Sequence, residues 1–194
     1  MVYHARVKKG YSTFCFSCYP DCGKRAVSDA SGAFTINGLS RGLWFELLLV
    51  RYGYTPTFVK MVDPLNAPVA AVITVRTPVD DPNRVVHGRV VDTQGTSLRD
   101  AVVEPMGLLV GQGPETIYGM PPGLDPVAAT NEKAEFEIAY AKPSANMALM
   151  VEARPMASKF IILPTGSERR TVTIDDFTAM PSISSCRSTN SGRL

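Results

Sequence analysis

The sequence predicts an all-β fold built from two copies of one small domain. Fifteen Gly and fifteen Pro interrupt the 194 residues and favour turns over helices, whereas the eight Phe and seven Tyr suit pleated strands. The chain also repeats itself. Residues 2–7 (VYHARV) resemble residues 85–90 (VVHGRV), and residues 28–36 (SDASGAFTI) resemble residues 130–138 (TNEKAEFEI). Two motifs that recur in the same order indicate a tandem duplication.

Alternating apolar residues and turn signals predict short strands along the first copy. Phe45 and Leu47 alternate with residues of the opposite face. This alternation is typical of a strand with one side in a core. Asp29 and Gly32 predict a hairpin turn whose glycine is left-handed. The second copy has Ala134 at that place, and we expect it to adopt the same conformation at a cost of about 1 kcal/mol. About seven strands result, at residues 2–7, 11–16, 25–28, 33–36, 44–49, 58–62 and 69–75.

A constant spacing relates the two copies. Phe34 and Phe58 recur as Phe136 and Phe160, each 102 residues later, with no gap between the two pairs. The second copy differs mainly by a Gly- and Pro-rich insertion at residues 106–125. We therefore expect a first domain at 1–78, a linker at 79–84 and a second domain at 85–175. Residues 176–194 contain too few apolar side chains to order themselves and are expected to form a disordered tail.

Three segments of the chain resemble motifs of a known family. Residues 88–103 (GRVVDTQGTSLRDAVV) are similar to the opening of carboxypeptidase regulatory-like domains, G-x-V-x-D-x-x-G-x-P-L-x-x-A-x-V, with Ser97 in place of the proline. Residues 28–36 and 130–138 resemble the family's T-D-x-x-G-x-F-x-I signature. The resemblance implies two tandem prealbumin-like, seven-stranded Greek-key β-sandwiches of the carbohydrate-binding-like group. It also implies a non-catalytic module of an exported or envelope protein, with further repeats of the same array as partners.

Charge and hydropathy bear on the partners of the chain. The net charge of +2 is spread over both copies, so a basic surface for nucleic acid is not expected. No apolar run approaches the ~20 residues needed to cross a bilayer. Residues 1–20 do not have the pattern of a signal peptide, although the resemblance implies an extracytoplasmic or secreted location.

Three cysteines lie close together, as Cys15, Cys18 and Cys22. We expect a disulfide or packed thiols in a surface loop. Two alternatives remain: three thiolates could hold zinc with a fourth ligand from His4 or Cys186, or the loop could have a redox role. We predict that the chain holds neither a metal ion nor a cofactor.

Catalytic residues are not predicted. The sequence has no G-x-S-x-G motif, and His4 and His87 occupy matching places in the repeated motif, so neither is left to act alone. Trp44 and Tyr118 are the candidate ligand-binding residues, because exposed aromatic rings stack on sugars and long insertions carry binding functions. The alternative for Trp44 is a structural role at an edge or at the domain junction.

The function predicted from these observations is that of a non-catalytic structural spacer or interaction module, with carbohydrate or protein as ligand. The first alternative is an accessory domain of a peptidase whose catalytic part lies outside this chain. The second alternative is a small metal or redox protein that uses the cysteine loop.

Overall fold

The computed structural model of the protein describes residues 1–10, 18–66, 68–109, 116–118 and 121–175. These residues form eleven β-strands and one short 3₁₀ helix, Pro82–Arg84. The predicted all-β fold is therefore confirmed. The first half of the chain contributes strands β1 (Val2–Val7), β2 (Leu43–Leu49) and β3 (Thr57–Val62).

The second half forms two sheets that enclose one hydrophobic core. One sheet has the order β10-β9-β5-β6, with β7 also paired to β5, and the other has the order β11-β4-β8. Within the smaller sheet, β4 is antiparallel to β8 and parallel to β11. The strands are β4 (Val85–Val91), β5 (Val102–Leu109), β6 (Thr116–Tyr118), β7 (Ala128–Ala129), β8 (Glu135–Ala139), β9 (Asn146–Glu152), β10 (Lys159–Pro164) and β11 (Arg169–Thr173).

Strand β4 lies in the middle of the smaller sheet and packs against an aromatic ring. Val86 and Val90 of β4 are fully buried, as is Phe136 of β8. Gly88 pairs with Phe136, and a Cβ atom on Gly88 would lie 2.2 Å from the Phe136 ring. Because carbon atoms pack best at ~3.5–4.0 Å, this position requires glycine.

The hairpin formed by β2 and β3 recurs in the second half as β9 and β10. Leu48 pairs with Phe58, and Met150 pairs with Phe160, so both partners are displaced by the same 102 residues. The turn that follows β2 also recurs. The Tyr54 N–H donates to the Arg51 carbonyl, and 102 residues later the N–H of residue 156 donates to the carbonyl of residue 153. The constant spacing read from the sequence thus corresponds to a shared backbone arrangement.

The structure corrects the match between residues 2–7 and residues 85–90. β1 pairs with β2, whereas β4 pairs with β8 and β11. β1 corresponds instead to β5, which pairs with β9. Both pairings contain a register shift at the same place. In β2 the shift lies between Glu46 and Leu47, and in β9 it lies between the matching residues Ala148 and Leu149. The motif was misassigned because alternating side chains fit the inner face of either sheet equally well.

Among its described residues, the first half therefore has one sheet, whereas those of the second half form two. Residues 33–37 match β8 in sequence, and residues 68–74 follow β3 as β11 follows β10, yet neither segment is a strand. Of the seven strands expected for the first copy, three are found among its described residues. The predicted strand at 11–16 lies outside the described residues. The absence of strands at 33–37 and 68–74 has a physical cause. In the second half, β8 and β11 each pair with β4, which holds them in one sheet.

The hairpin turn expected at Asp29 occurs three times. The side-chain oxygens of Asp29, Asp92 and Asn131 each accept hydrogen bonds from the backbone N–H groups two and four residues later. The fourth residue of each turn is left-handed, with φ values of 84°, 80° and 63° at Gly32, Gly95 and Ala134. The expectation of a left-handed Ala134 is confirmed.

The predicted linker at 79–84 packs against the second half. The Asp81 carboxylate accepts a hydrogen bond from the Asn83 N–H (2.9 Å) and caps the 3₁₀ helix. The Arg84 carbonyl accepts from the Tyr140 N–H at 2.8 Å, and the Arg84 side chain donates to the Tyr140 carbonyl at 3.1 Å. Arg84 thus extends the ordered second half toward the first.

Two separate clusters of buried side chains accompany the two halves. One includes Val2, Phe45 and Val62, and the other includes Phe136 and Leu149. The division into domains at 1–78 and 85–175 stays a prediction, and the disordered tail predicted at 176–194 lies outside the described residues.

We predict that Gly88→Ala destabilises the second half by about 1–3 kcal/mol, because the added methyl group overpacks the Phe136 ring. Chemical denaturation measures the free energy of unfolding. Gly42→Ala is the matched control, since a Cβ there meets nothing within 4 Å. Phe136→Leu in the Gly88→Ala background is expected to cost less than in the wild-type chain, and strict additivity of the two changes would contradict the packing described here.

Candidate functional site

The cysteine loop is partly described. Cys18 is disulfide-bonded and Cys22 is a thiol, so these two residues are not bonded to each other. Cys15 and Cys186 lie outside the described residues. Burial raises the pKa of the Cys22 thiol, and nearby Asp21 raises it further, so the reactive thiolate is disfavoured at neutral pH. Within the described parts of the chain, no group of three His, Cys, Asp or Glu side chains is placed to hold a metal ion.

Trp44 lies on the face of β2 opposite Phe45 and is half-buried. The Lys8 ammonium group sits 5.1 Å from the centre of the Trp44 ring, a cation–π arrangement. Lys8 is itself held by the Asp63 carboxylate at 2.5 Å. One face of the candidate sugar-binding ring is therefore already engaged by the chain's own side chain.

Tyr118, the second candidate ligand-binding residue, ends strand β6. Its backbone pairs with Gly107 of β5, so the insertion predicted between the strands is partly β-structure. The role of the Tyr118 side chain stays a prediction.

Each histidine forms a cross-strand pair with a glutamate. His4 Nδ1 lies 2.6 Å from Glu46 across β1 and β2, and His87 Nδ1 lies 3.7 Å from Glu137 across β4 and β8. Cross-strand pairs of this kind stabilise sheets. The similar environments of the two histidines agree with a structural role for both, although their strands are not equivalent.

Arg76 joins the two halves through carboxylates of the second half. Its guanidinium group lies 2.7 Å from Asp125 and 3.7 Å from Glu137. The Asp125 side chain also accepts a hydrogen bond from the Ala139 N–H at 2.7 Å. Arg25 lies 3.4 Å from Glu152, which adds a second ionic contact between the halves.

A second place where the halves approach each other contains several acidic groups. Burial raises the pKa of Glu104 on β5, and the neighbouring charge of Glu152 raises it further. Burial also raises the pKa of Tyr3 on β1, with contributions from Glu104 and Glu46. The charged form of Glu104 is therefore disfavoured in the folded chain.

The first half exposes apolar side chains that have buried counterparts. Phe34 is 38% exposed, whereas its match Phe136 is fully buried. Ile36 is half-buried, whereas its match Ile138 is fully buried. We call the two segments 33–37 and 68–74 together the open face, although Ile36 and Val69 in them pack partly against the core of the first half. Val72 in the second of these segments is 84% exposed.

The open face was missed by sequence reasoning, because the constant spacing of Phe34 and Phe136 implies similar surroundings for the two side chains. The sequence does contain one relevant signal. In the second half, β4 is followed by a D-x-x-G turn that Asp92 and Gly95 form. Residues 2–7 are not followed by this motif. That difference separates β1 from β4 even though their alternation is alike.

Comparisons with known proteins concern the fold. The chain is similar to the crystal structure of shaft pilin SpaA from Lactobacillus rhamnosus GG, with a TM-score of 0.35 and 14% identity over 80% of this chain and 71% of the pilin. A mutant of the same pilin gives a TM-score of 0.35 and 12% identity over 80% of this chain and 68% of the pilin. No family model matches the sequence, and no curated protein matches it. The function of the chain is therefore inferred from its own residues.

Among the described residues, no helix is long and apolar enough to cross a membrane.

We predict that Glu104→Gln stabilises the chain at pH 7, because the folded state disfavours the Glu104 charge. Folding raises the pKa of this carboxyl group, so the folded state favours its protonated form. The resulting stabilisation is fully present below the unfolded pKa of ~4.3 and is lost as the pH rises and the group ionises. The advantage of the variant should therefore grow between pH 3.5 and pH 7, as followed by thermal unfolding. Glu132→Gln, at an exposed position, controls for the loss of one charge. An advantage that shrinks as the pH rises would refute the assignment.

We predict that Cys22 in the folded chain alkylates slowly at pH 7 and that its rate continues to rise above pH ~8.5, the ordinary pKa of cysteine. Iodoacetamide labelling, located by mass spectrometry across pH 7–10, gives the rate at this position. The denatured chain is the control and should level off at lower pH. Equal profiles for the folded and denatured chains would show that burial does not protect the thiol.

Proposed function

We propose that the chain is a non-catalytic interaction module whose working surface is the open face of the first half. The observation that carries this proposal is the contrast between Phe34 and Phe136, which occupy matching positions and differ in exposure by 38%. Apolar side chains gain roughly 1.5–3 kcal/mol each when they are fully buried. A partner that covers Phe34 and Val72 therefore has a substantial driving force.

An extracytoplasmic location is part of this proposal. Cys18 is disulfide-bonded, and disulfides persist mainly in oxidising compartments such as the cell exterior and the envelope. A redox function receives less support, because the pKa of the Cys22 thiol is raised rather than lowered.

Protein is favoured over carbohydrate as the ligand. A sugar that stacks on the face of Trp44 covered by Lys8 would have to displace Lys8, which is also paired with Asp63. The open face, in contrast, exposes the apolar side chains of Phe34 (38%) and Val72 (84%). The resemblance of residues 88–103 and 130–138 to carboxypeptidase regulatory-like motifs supports such a role, and Gly88 and Phe136 of these two segments pack on each other.

Site-specific photocrosslinking tests the proposal. A benzoylphenylalanine residue replaces Phe34 in the full chain, and the producing cells are irradiated. The control carries the same group at Phe160, an exposed position on β10 (52%). We expect a discrete protein adduct from position 34 that is absent from position 160. Identical adducts from both positions, or none from either, would contradict an interaction surface at the open face.

A further inference from the structure

We infer that strand β10 pairs edge to edge with β10 of a second copy of the chain and joins the two larger sheets into one. The inference concerns a surface of the second half that is separate from the open face, so it goes beyond the proposed function. It depends on the outward backbone groups of β10, on its apolar side chains and on a comparison with the edge strand of the first half.

Strand β10 has one unpaired edge. In the larger sheet it pairs only with β9. The Thr165 N–H continues this ladder by donating to the Ala145 carbonyl at 3.1 Å. Antiparallel bonds recur at every second residue, so the backbone groups of Ile161 face β9 and those of Phe160 and Ile162 face the free edge. Within the described residues, these outward N–H and C=O groups have no hydrogen-bond partner.

The same two residues expose apolar side chains. Phe160 is 52% exposed and Ile162 is 51% exposed, whereas Ile161 between them packs against the core. Apolar side chains beside unpaired backbone groups offer a template for another strand, which folded proteins avoid by placing charges or bulges on edge strands. The register of β10 with β9 has no bulge. The one charged side chain of β10, Lys159, donates to the Thr173 carbonyl at 2.6 Å.

The edge strand of the first half has both protective features. Lys60 of β3 precedes Ile162 by the constant 102 residues, and its ammonium group lies 3.7 Å from Glu46. Met61 follows with a left-handed backbone (φ 57°), and the register between β2 and β3 shifts at this point. A lysine and a bulge both discourage pairing with another chain. The two halves thus share the hairpin but differ in whether its edge is protected.

A second copy of the chain is the partner that this pattern fits, because β10 is complementary to itself. Two antiparallel β10 strands centred on Ile161 place Phe160 of each copy opposite Ile162 of the other. Each such pair forms two hydrogen bonds, so this register satisfies the outward groups of both residues in both copies. An aromatic ring opposite a β-branched side chain is a favourable cross-strand pair. Lys159 lies opposite Leu163, so no like charges meet, and the dimer is closed by a two-fold axis.

Sedimentation equilibrium of the full chain over roughly 10 µM to 1 mM tests the inference, since small interfaces bind weakly. We expect a reversible equilibrium between monomer and dimer. Ile162→Lys introduces the edge residue of the first half and should weaken the dimer about tenfold or more, whereas Ile162→Val should retain it. Val27→Lys, at another exposed apolar position (70%), controls for the added charge and should leave the dimer unchanged.

Hydrogen exchange of the wild-type chain, followed by NMR at low and high concentration, tests the register without any substitution. The Phe160 and Ile162 amides should become protected as the concentration rises, because the second copy accepts their hydrogen bonds. The Ile161 and Leu163 amides already face β9 and should change much less.

A chain that stays monomeric over this concentration range would overturn the inference. A dimer that Ile162→Lys leaves intact would also overturn it, as would a dimer in which the Phe160 and Ile162 amides stay unprotected, since another surface would then form the contact. The photocrosslinking group at position 160 should give only a product of twice the mass of the chain, which differs from an adduct formed at position 34. The dimer can therefore fail while the proposed function stands, and the reverse also holds.

Discussion

Gly88 against the ring of Phe136 is the contact on which the architecture of the second half depends. It lets the Phe136 ring of β8 lie directly over β4, the strand that occupies the middle of the smaller sheet between β8 and β11. Strands β8 and β11 do not pair with each other, so each depends on β4 for its place in the sheet. The second sheet of the sandwich, and with it the burial of Phe136, therefore rests on one strand.

The first half shows what the same local sequence does when that strand is absent from its described residues. From Leu47 to Leu49 its hairpin has the register of the β9–β10 hairpin, and its turn at Asp29 makes the same hydrogen bonds as the turn at Asn131. Residues 33–37 nevertheless form no strand. Turns and hairpins are fixed by nearby residues, whereas a strand also needs a neighbour whose backbone satisfies its hydrogen-bonding groups.

These differences explain what could and could not be predicted from the sequence. The all-β class, the spacing of Phe58 and Phe160 and the left-handed Ala134 depend on local patterns and were predicted correctly. The assignment of β1 was wrong because V-x-H-x-R-V describes an alternation that suits either sheet. The exposure of Phe34 could not be predicted, since the repeat implies that matching residues have matching partners. Arg76, which links the halves through Asp125, carries no local signal at all.

The most direct test of this account is native-state hydrogen exchange of the full chain, followed residue by residue by NMR. If β4 is what orders the second sheet, amides 135–139 should be strongly protected, whereas amides 34–37 should exchange at rates close to those of an unfolded chain. The β2 and β9 amides should both be protected and serve as internal references. Comparable protection of 34–37 and 135–139 would contradict the account, because it would show that the first half completes a second sheet of its own.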